Sequence, residues 1–412
     1  MRVIGMAKRC SLREAISGAV VVAALGSVSC HPATRISAPA SHPATATAAT
    51  ANGLTVVSSE TFPLTDGDVQ RDIVRIRAGA DSADLEGIVV RQTTGAKLPL
   101  ALISHGSPRN IDDARTSRAA SYTGRAIELA RRGYVAVAFL RAGFGSSSGA
   151  ITDRIGNCET ADFGAIAEKT AVEKRAVIEV LARQPYVDGT RILDIGKSAG
   201  GFGSLALAAS PPPGLVAIVS FAGGRGSRST DTNCNEDALV DATARLGRTA
   251  RLPALWVYAE NDHYFPPPIA HRMFAAWTGA GAPGDFVMAP PFGDDGHDLF
   301  SDAGIPIWRP YLDEFLRKNH LPCWATPPDD SLPALALPSG FGPSAHEHLE
   351  SYRRSKNFHK AFATGAHGHV TWRSGYDTAE AARAEALRAC ESKGRSCRAM
   401  FVDDAPAPES VR

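Results

Sequence analysis

The chain has 412 residues, 44 Lys and Arg against 43 Asp and Glu, and an apolar fraction of 44%, enough for two or three ordinary globular domains of ~150 residues each. A net charge of +1, with no basic stripe interleaved with aromatics, removes the electrostatic case for a nucleic-acid partner.

Arg2, Lys8, Arg9 and Arg13 precede Ala15 to Val28, an apolar, small-residue run too short and too glycine-broken to span a bilayer. This predicts a signal peptide over residues 1–29 and export to the periplasm or beyond. Ser27 and Ser29 supply the small residues needed for cleavage before Cys30. A cysteine there also fits a lipoprotein, although Ser27 stands where such signals usually carry leucine, so soluble secretion and membrane anchoring through a lipidated Cys30 both remain open. Residues 30–52 are almost wholly Ala, Thr, Ser and Pro. Such a composition buries too little surface to offset its ordering entropy and predicts a flexible tether.

Export permits disulfides. With Cys10 in the signal and Cys30 set aside, Cys390 and Cys397 pair as a short bridge of about 2.5 kcal/mol on the loop-entropy model. Cys158 with Cys234 closes a longer loop, roughly 4.5 kcal/mol on the same model. Free buried cysteines are the alternative for this second pair, and Cys323 is left over either way.

Past the tether, Asp72 to Ala78 and Glu86 to Arg91 read as antiparallel strands near an edge, and the apolar run Leu98 to Ser104 as a central parallel strand. His105-Gly106-Ser107-Pro108 follows. A helix is predicted over 117–132, a strand over 134–140, the glycine-serine loop from Arg141 to Gly149, a helix over 161–183, and a strand from Arg191. Beyond Ser198 come a helix to Ala209, a strand over 215–221, a helix over 236–246, a strand over 253–259, a helix over 268–277, a strand over 285–288 and a helix over 307–318. Alternation of this kind predicts an α/β fold, a mostly parallel doubly wound sheet, over residues 53–325.

Ser198 lies in Gly196-Lys197-Ser198-Ala199-Gly200-Gly201, where glycines on both sides permit a sharp strand-to-helix turn with an exposed hydroxyl. A phosphate loop would need glycine at Arg191 and its glycine-rich stretch before the lysine, so that reading is discounted. An ordinary Gly-Ser turn is weighed by asking whether a base and an acid follow in order. They do, each after a predicted strand: Asp262 in Glu260-Asn261-Asp262-His263, then His297 in Asp295-Gly296-His297-Asp298.

With His105-Gly106, Arg141-Ala142-Gly143-Phe144-Gly145, the Ser198 turn, Glu260-Asn261-Asp262 and Asp295-Gly296-His297 in this order, the chain from about Thr61 to Pro322 resembles the α/β-hydrolase superfamily, and within it the dienelactone hydrolase branch. The resemblance implies Ser198 as nucleophile, His297 as base and Asp262 as the group that orients it. It places the oxyanion donors at the N–H of Ala199 and of Gly106 or Ser107. The chemistry asks for no metal or cofactor. Glu260 and Asp295 are the lesser candidates for the acid, and His263 is a decoy or surface residue. His105 reads as shaping the oxyanion loop, and Arg141 as neutralising a nearby carboxylate. Lys197, beside the nucleophile, and Asp194, a carboxylate in a buried strand, have no evident partner in the sequence. The loops 154–162 and 223–237 are expected to wall the pocket.

Residues 326–345 read as a linker, and 346–412 as a small α+β accessory domain held by the Cys390 to Cys397 bridge. Strands are predicted over 358–364 and 369–373, a helix over 378–392 and a strand over 396–402. His346, His348, His359, His367 and His369 lack the cysteine or clustered carboxylate company of a zinc site, so surface histidines are preferred, and the ligand of this domain is not readable. The expected function is an exported serine hydrolase of small-molecule carboxylic esters. The alternatives are a serine peptidase of the same fold and a catalytically weak cell-envelope binding protein.

Overall fold

The computed structural model describes residues 49–407, apart from 63, 65, 66, 153, 325–331, 356, 394 and 395. The expected signal peptide, Cys30 and most of the tether lie outside the described residues. Ala49–Ala51, expected to belong to the tether, is a strand, β1, paired antiparallel with β2, Leu54–Phe62. The sequence reading missed β2, whose polar Ser58-Ser59-Glu60-Thr61 stretch hides its strand character. It is held by eight backbone partners in β3, Val69–Ile76.

The remaining elements of the main layer are β4 (Leu85–Gln92), β5 (Leu98–Ser104), α1 (Thr123–Arg131), β6 (Val135–Phe139), α2 (Phe163–Ala182), β7 (Val187–Lys197), α3 (Ala199–Ala209) and β8 (Leu215–Phe221). After them come a small hairpin, β9 (Ser227–Ser229) and β10 (Thr232–Asn233), then α4 (Glu236–Gly247), β11 (Ala254–Ala259), α5 (Pro267–Gly279), β12 (Asp285–Ala289) and α6 (Ile305–Lys318). The sheet runs in the order β1-β2-β3-β4-β6-β5-β7-β8-β11-β12. Every pair from β6 to β12 is parallel, and the β1 to β4 edge is antiparallel.

Alternate side chains of each central strand enter opposite cores, as the two-residue period of a strand requires. Leu100, Leu102, Trp256 and Tyr258 pack with α2 to α5. Ala101, Ile103, Leu255 and Val257 pack with α1 and α6 on the other face. Both faces are therefore covered, which is why these strands read as continuous apolar runs. The strand order, the parallel centre and the helices on both faces make this an α/β-hydrolase fold.

The helix expected over 117–132 begins only at Thr123. Before it lie two 3₁₀ turns, Ile111–Thr116 and Ala119–Tyr122. The Ala119 N–H donates to the Glu86 carboxylate of β4 at 2.7 Å, outside any helical ladder, and holds the segment against the sheet.

Beyond residue 331, α7 (Pro343–Arg354) starts inside the expected linker, with proline in its first turn, where the missing N–H costs nothing. The expected strands and helix follow as β13 (Ala361–Gly365), β14 (Val370–Arg373), α8 (Ala379–Glu391) and β15 (Cys397–Val402), with a short β16 (Ala405–Pro406). Their antiparallel sheet has the order β14-β13-β15-β16. It packs Phe362 and Phe401 against Leu349 and Tyr352 of α7, and Ala361 and Ala363 against Ala382 and Ala386 of α8. Disulfides join Cys390 to Cys397 and Cys158 to Cys234, and Cys323 is a free thiol.

This segment is docked on the hydrolase layer. Phe358 stacks on Phe62 with ring centroids 3.7 Å apart. His359 lies between Glu60, 2.6 Å away, and Asp403, 3.1 Å away. The Arg71 guanidinium donates to the carbonyls of Tyr376 and Asp377. Among the described residues, no helix is long and apolar enough to cross a membrane.

Candidate active site

Lys197 ends β7 and Ala199 begins α3, so Ser198 alone makes the reversal, at φ 55° and ψ −122°. A non-glycine residue in that region carries strain of about 1–3 kcal/mol and is held by its surroundings. Its N–H donates to the Phe221 carbonyl at 2.9 Å, while its own carbonyl accepts from Phe202 at 2.9 Å and Gly224 at 3.2 Å. The turn is tight enough that a Cβ at Gly196 would sit 2.3 Å from the Gly200 carbonyl, and one at Gly200 would sit 2.5 Å from the His105 carbonyl. Glycine is obligatory at both places.

The loop after β11 carries Asp262 and the loop after β12 carries His297. Both are buried, and His297 Nδ1 is 3.2 Å from each Asp262 oxygen. Asp262 Oδ1 also accepts from the N–H groups of Tyr264 and Phe265, at 2.8 and 2.9 Å. The Asp295 carboxylate accepts from the N–H of His263 and of His297, at 3.0 and 2.9 Å, and so ties the two loops together. Of the three carboxylates considered, Asp262 is the one within hydrogen-bond distance of the imidazole. His263 faces Asp231 instead, 2.9 Å away on the surface.

Tyr264, which the sequence reading passed over, stacks on His297 with centroids 3.9 Å apart and planes 11° apart. Arg109 lies over the same tyrosine ring at 3.6 Å and is anchored on Ser227 Oγ and the His263 carbonyl, at 3.0 and 2.8 Å. The position of Tyr264, two residues past the acid, was the available signal.

Before the site, a Cβ at Gly106 would come 2.9 Å from Ser198 Cβ, so the backbone of this loop abuts the Ser198 turn. The loop is shaped from behind. The Arg141 N–H donates to His105 Nε2 at 2.9 Å, which leaves the His105 Nδ1–H to donate to the Gly106 carbonyl at 2.6 Å. The Arg141 guanidinium donates to the His105 and Gly106 carbonyls and to Ser107 Oγ, at 2.6, 3.2 and 3.0 Å. These bonds clamp the loop, a role the sequence reading did not give Arg141. The Ala199 N–H opens α3, where no helical carbonyl precedes it to accept.

Two residues left unpartnered by the sequence are accounted for. Lys197 pairs with Asp298, the neighbour of His297, across the rim of the site. Asp194 accepts from Lys174 Nζ at 2.8 Å, and that ammonium also donates to the Gly200 carbonyl at 3.0 Å and to Ser204 Oγ at 2.8 Å. Burial depresses the Lys174 pKa, and the Asp194 charge works against that shift. This buried pair lies directly beneath the Ser198 turn.

Two cavities meet at Ser198. One of about 200 Å³ includes Ala199, Arg154, Arg225, Arg228 and Tyr264 in its wall. The other, about 240 Å³, includes Gly106, Ser107, Tyr122, Tyr264 and His297. The loops expected as pocket walls supply Arg154 and Ile155 from one side and residues 224–228 from the other, and the Cys158 to Cys234 disulfide joins them.

The family model of the X-Pro dipeptidyl-peptidases (S15 family) matches residues 81–261, a stretch that includes Ser198 and stops one residue before Asp262. No curated protein matches the sequence. Among solved structures, an acetyl xylan esterase from Paenibacillus sp. R4 aligns at 16% identity and a TM-score of 0.45, over 63% of this chain and 88% of its own. A protein assigned as a dienelactone hydrolase from Klebsiella pneumoniae aligns at 18% and 0.40, over 60% and 99%. An acylaminoacyl peptidase from Pyrococcus horikoshii aligns at 15% and 0.45, over 67% and 49%. The α/β-hydrolase fold assignment rests on the sheet described above.

Proposed function

We propose that this chain is an exported serine hydrolase that cleaves carboxylic esters of small molecules through an acyl-enzyme on Ser198. The observation that carries the proposal is the strained Ser198 turn, opening on the same cavity as an imidazole whose Nδ1 faces the buried Asp262 carboxylate. In this reading Asp262 keeps the proton on Nδ1, so that Nε2 is free to accept. Ser198 Oγ attacks the ester carbonyl carbon as its proton passes to His297 Nε2, and the negative charge that forms on the carbonyl oxygen is met by the N–H of Ala199 and of Gly106 or Ser107. The carbon–oxygen bond to the alcohol then breaks, and the alcohol leaves with the proton from His297. Water repeats the sequence, giving its proton to His297 and freeing the acid and Ser198. The route uses only the chain's own residues.

Export belongs to the same proposal, by soluble secretion or with a lipid anchor at Cys30. It is supported by the basic-then-apolar start of the chain and by the two disulfides. A serine peptidase is the second reading, favoured by the family match over residues 81–261. An ester and amide panel separates the two. Ester turnover far above amide turnover, lost by about 10⁶ in Ser198→Ala, is the expected result. An unchanged rate in Ser198→Ala sinks both readings.

A further inference from the structure

We infer that the C-terminal segment is part of the substrate site, and that the alcohol half of the ester is an extended, hydroxyl-rich chain lying in the groove between this segment and the sheet. The inference rests on the proposed chemistry at Ser198 for its direction. The cavity that holds His297 is the leaving-group side, because His297 delivers the proton to the departing alcohol. Ser117 and Arg118 line that cavity, and the same two residues line a larger groove of about 720 Å³ that is walled on its far side by Arg373, Tyr376, Glu385 and Arg388. The two cavities share Ser117 and Arg118 in their walls, which sets the groove next along the path of a chain that leaves Ser198 past His297.

The crossing point is fastened to the C-terminal segment. Arg118 Nε donates to the Gly375 carbonyl at 3.2 Å, and its guanidinium lies 4.0 Å from the centre of the Tyr376 ring. Gly375, at φ 71°, packs so closely that a Cβ there would sit 2.5 Å from Ser121 Cα, and Ser121 itself lines the His297 cavity. The 117–122 wall of the site therefore takes its position from residues more than 250 positions later in the chain.

The chemistry of the groove selects the ligand. Arg373 and the paired Arg388 and Glu385 are partly or fully exposed and offer N–H donors beside carboxylate acceptors, with the Tyr376 ring as a flat face among them. Hydroxyl groups both donate and accept, and the C–H faces of a sugar cover apolar surface, so a polyhydroxylated chain matches a wall that sets Val57 and Ile73 beside these charges.

The test measures kcat/KM on acetate esters of p-nitrophenol, of a linear trisaccharide and of dodecanol, in the full-length protein and in Tyr376→Ala and Arg388→Ala. Arg388 is exposed, so its replacement leaves folding intact even where loss of Tyr376 shifts Arg118. The expected result is a fall of about tenfold in the ratio of trisaccharide ester to p-nitrophenyl acetate in both variants. A ratio equal to the wild-type value, or a loss that falls on the dodecyl ester instead, overturns the inference. Fluorophosphonate labelling of Ser198 is followed in the same samples. Labelling with an unmoved ratio rejects the groove alone, and no labelling of the wild type rejects the hydrolase reading and the groove with it.

Discussion

Replacing Lys174 by methionine removes the ammonium that lies beneath the Ser198 turn. The side chains of Lys174 and Asp194 are both 0% exposed, and the pair is closed by a 2.8 Å bond. Truncating Lys174 leaves the buried Asp194 carboxylate without the cation bonded to it, a change that costs about 3–5 kcal/mol. The Gly200 carbonyl and Ser204 hydroxyl lose a donor as well, worth about 1 kcal/mol each. Asp194→Leu strands the ammonium and is expected to cost a similar amount. In the double variant neither charge of the pair remains, so most of the loss is recovered and only the two weaker hydrogen bonds are missing. Urea unfolding of the four proteins gives the cycle, with an expected coupling of at least about 2 kcal/mol. Additive single losses, or a Lys174→Met cost below about 1 kcal/mol, would refute the reasoning that the pair acts as a unit.

Three further outcomes are expected. Tyr264→Leu, which removes the ring stacked on His297, should lower kcat/KM on p-nitrophenyl acetate by about tenfold or more, and Tyr264→Phe should restore it; equal losses in both would show that the stack is not what matters. His359 has its pKa raised above 6.5, because burial, which works downward, is outweighed by the hydrogen bonds to Asp403 and Glu60, with the nearby Arg71 charge also opposing. A raised histidine pKa contributes stability that is complete below 6.5 and disappears as the pH climbs through the folded value. The wild type should accordingly lose Tm relative to His359→Gln on going upward from neutral pH, and parallel curves would contradict this. Replacing both Cys158 and Cys234 by serine should cost roughly 4.5 kcal/mol in unfolding free energy on the loop-entropy model, and it should raise KM, since the bond joins the two loops that wall the smaller cavity. An unchanged KM would separate the bond from the substrate mouth.

What the sequence disclosed and what it hid divide along a physical line. The central strands were legible because both faces are buried, which leaves uninterrupted apolar runs such as Leu98 to Ser104. The turn at Ser198 was legible because the reversal leaves no room for a Cβ at Gly196 or Gly200. The order of Ser198, Asp262 and His297 could be read because each follows a strand, and the structure brings His297 onto Asp262. Contacts between distant segments were hidden. Nothing around Asp194 points to Lys174 on a separate helix, and nothing around Glu60 points to His359, 299 residues away. Local periodicity also failed where side chains take over the backbone. The segment at 117–122 has helical spacing, yet Glu86 from the sheet claims the Ala119 N–H and the helix starts only at Thr123. Pro343 opens a helix in a stretch whose composition reads as a linker.

The most direct test of the account is rapid mixing of the full-length protein with p-nitrophenyl acetate, followed by acid quench and peptide mapping. The account predicts a burst of p-nitrophenol close to one equivalent per chain and an acetyl group on the peptide that contains Ser198, with both absent in Ser198→Ala. Turnover without acylation of Ser198, or an acetyl group on another residue at full activity, would contradict it.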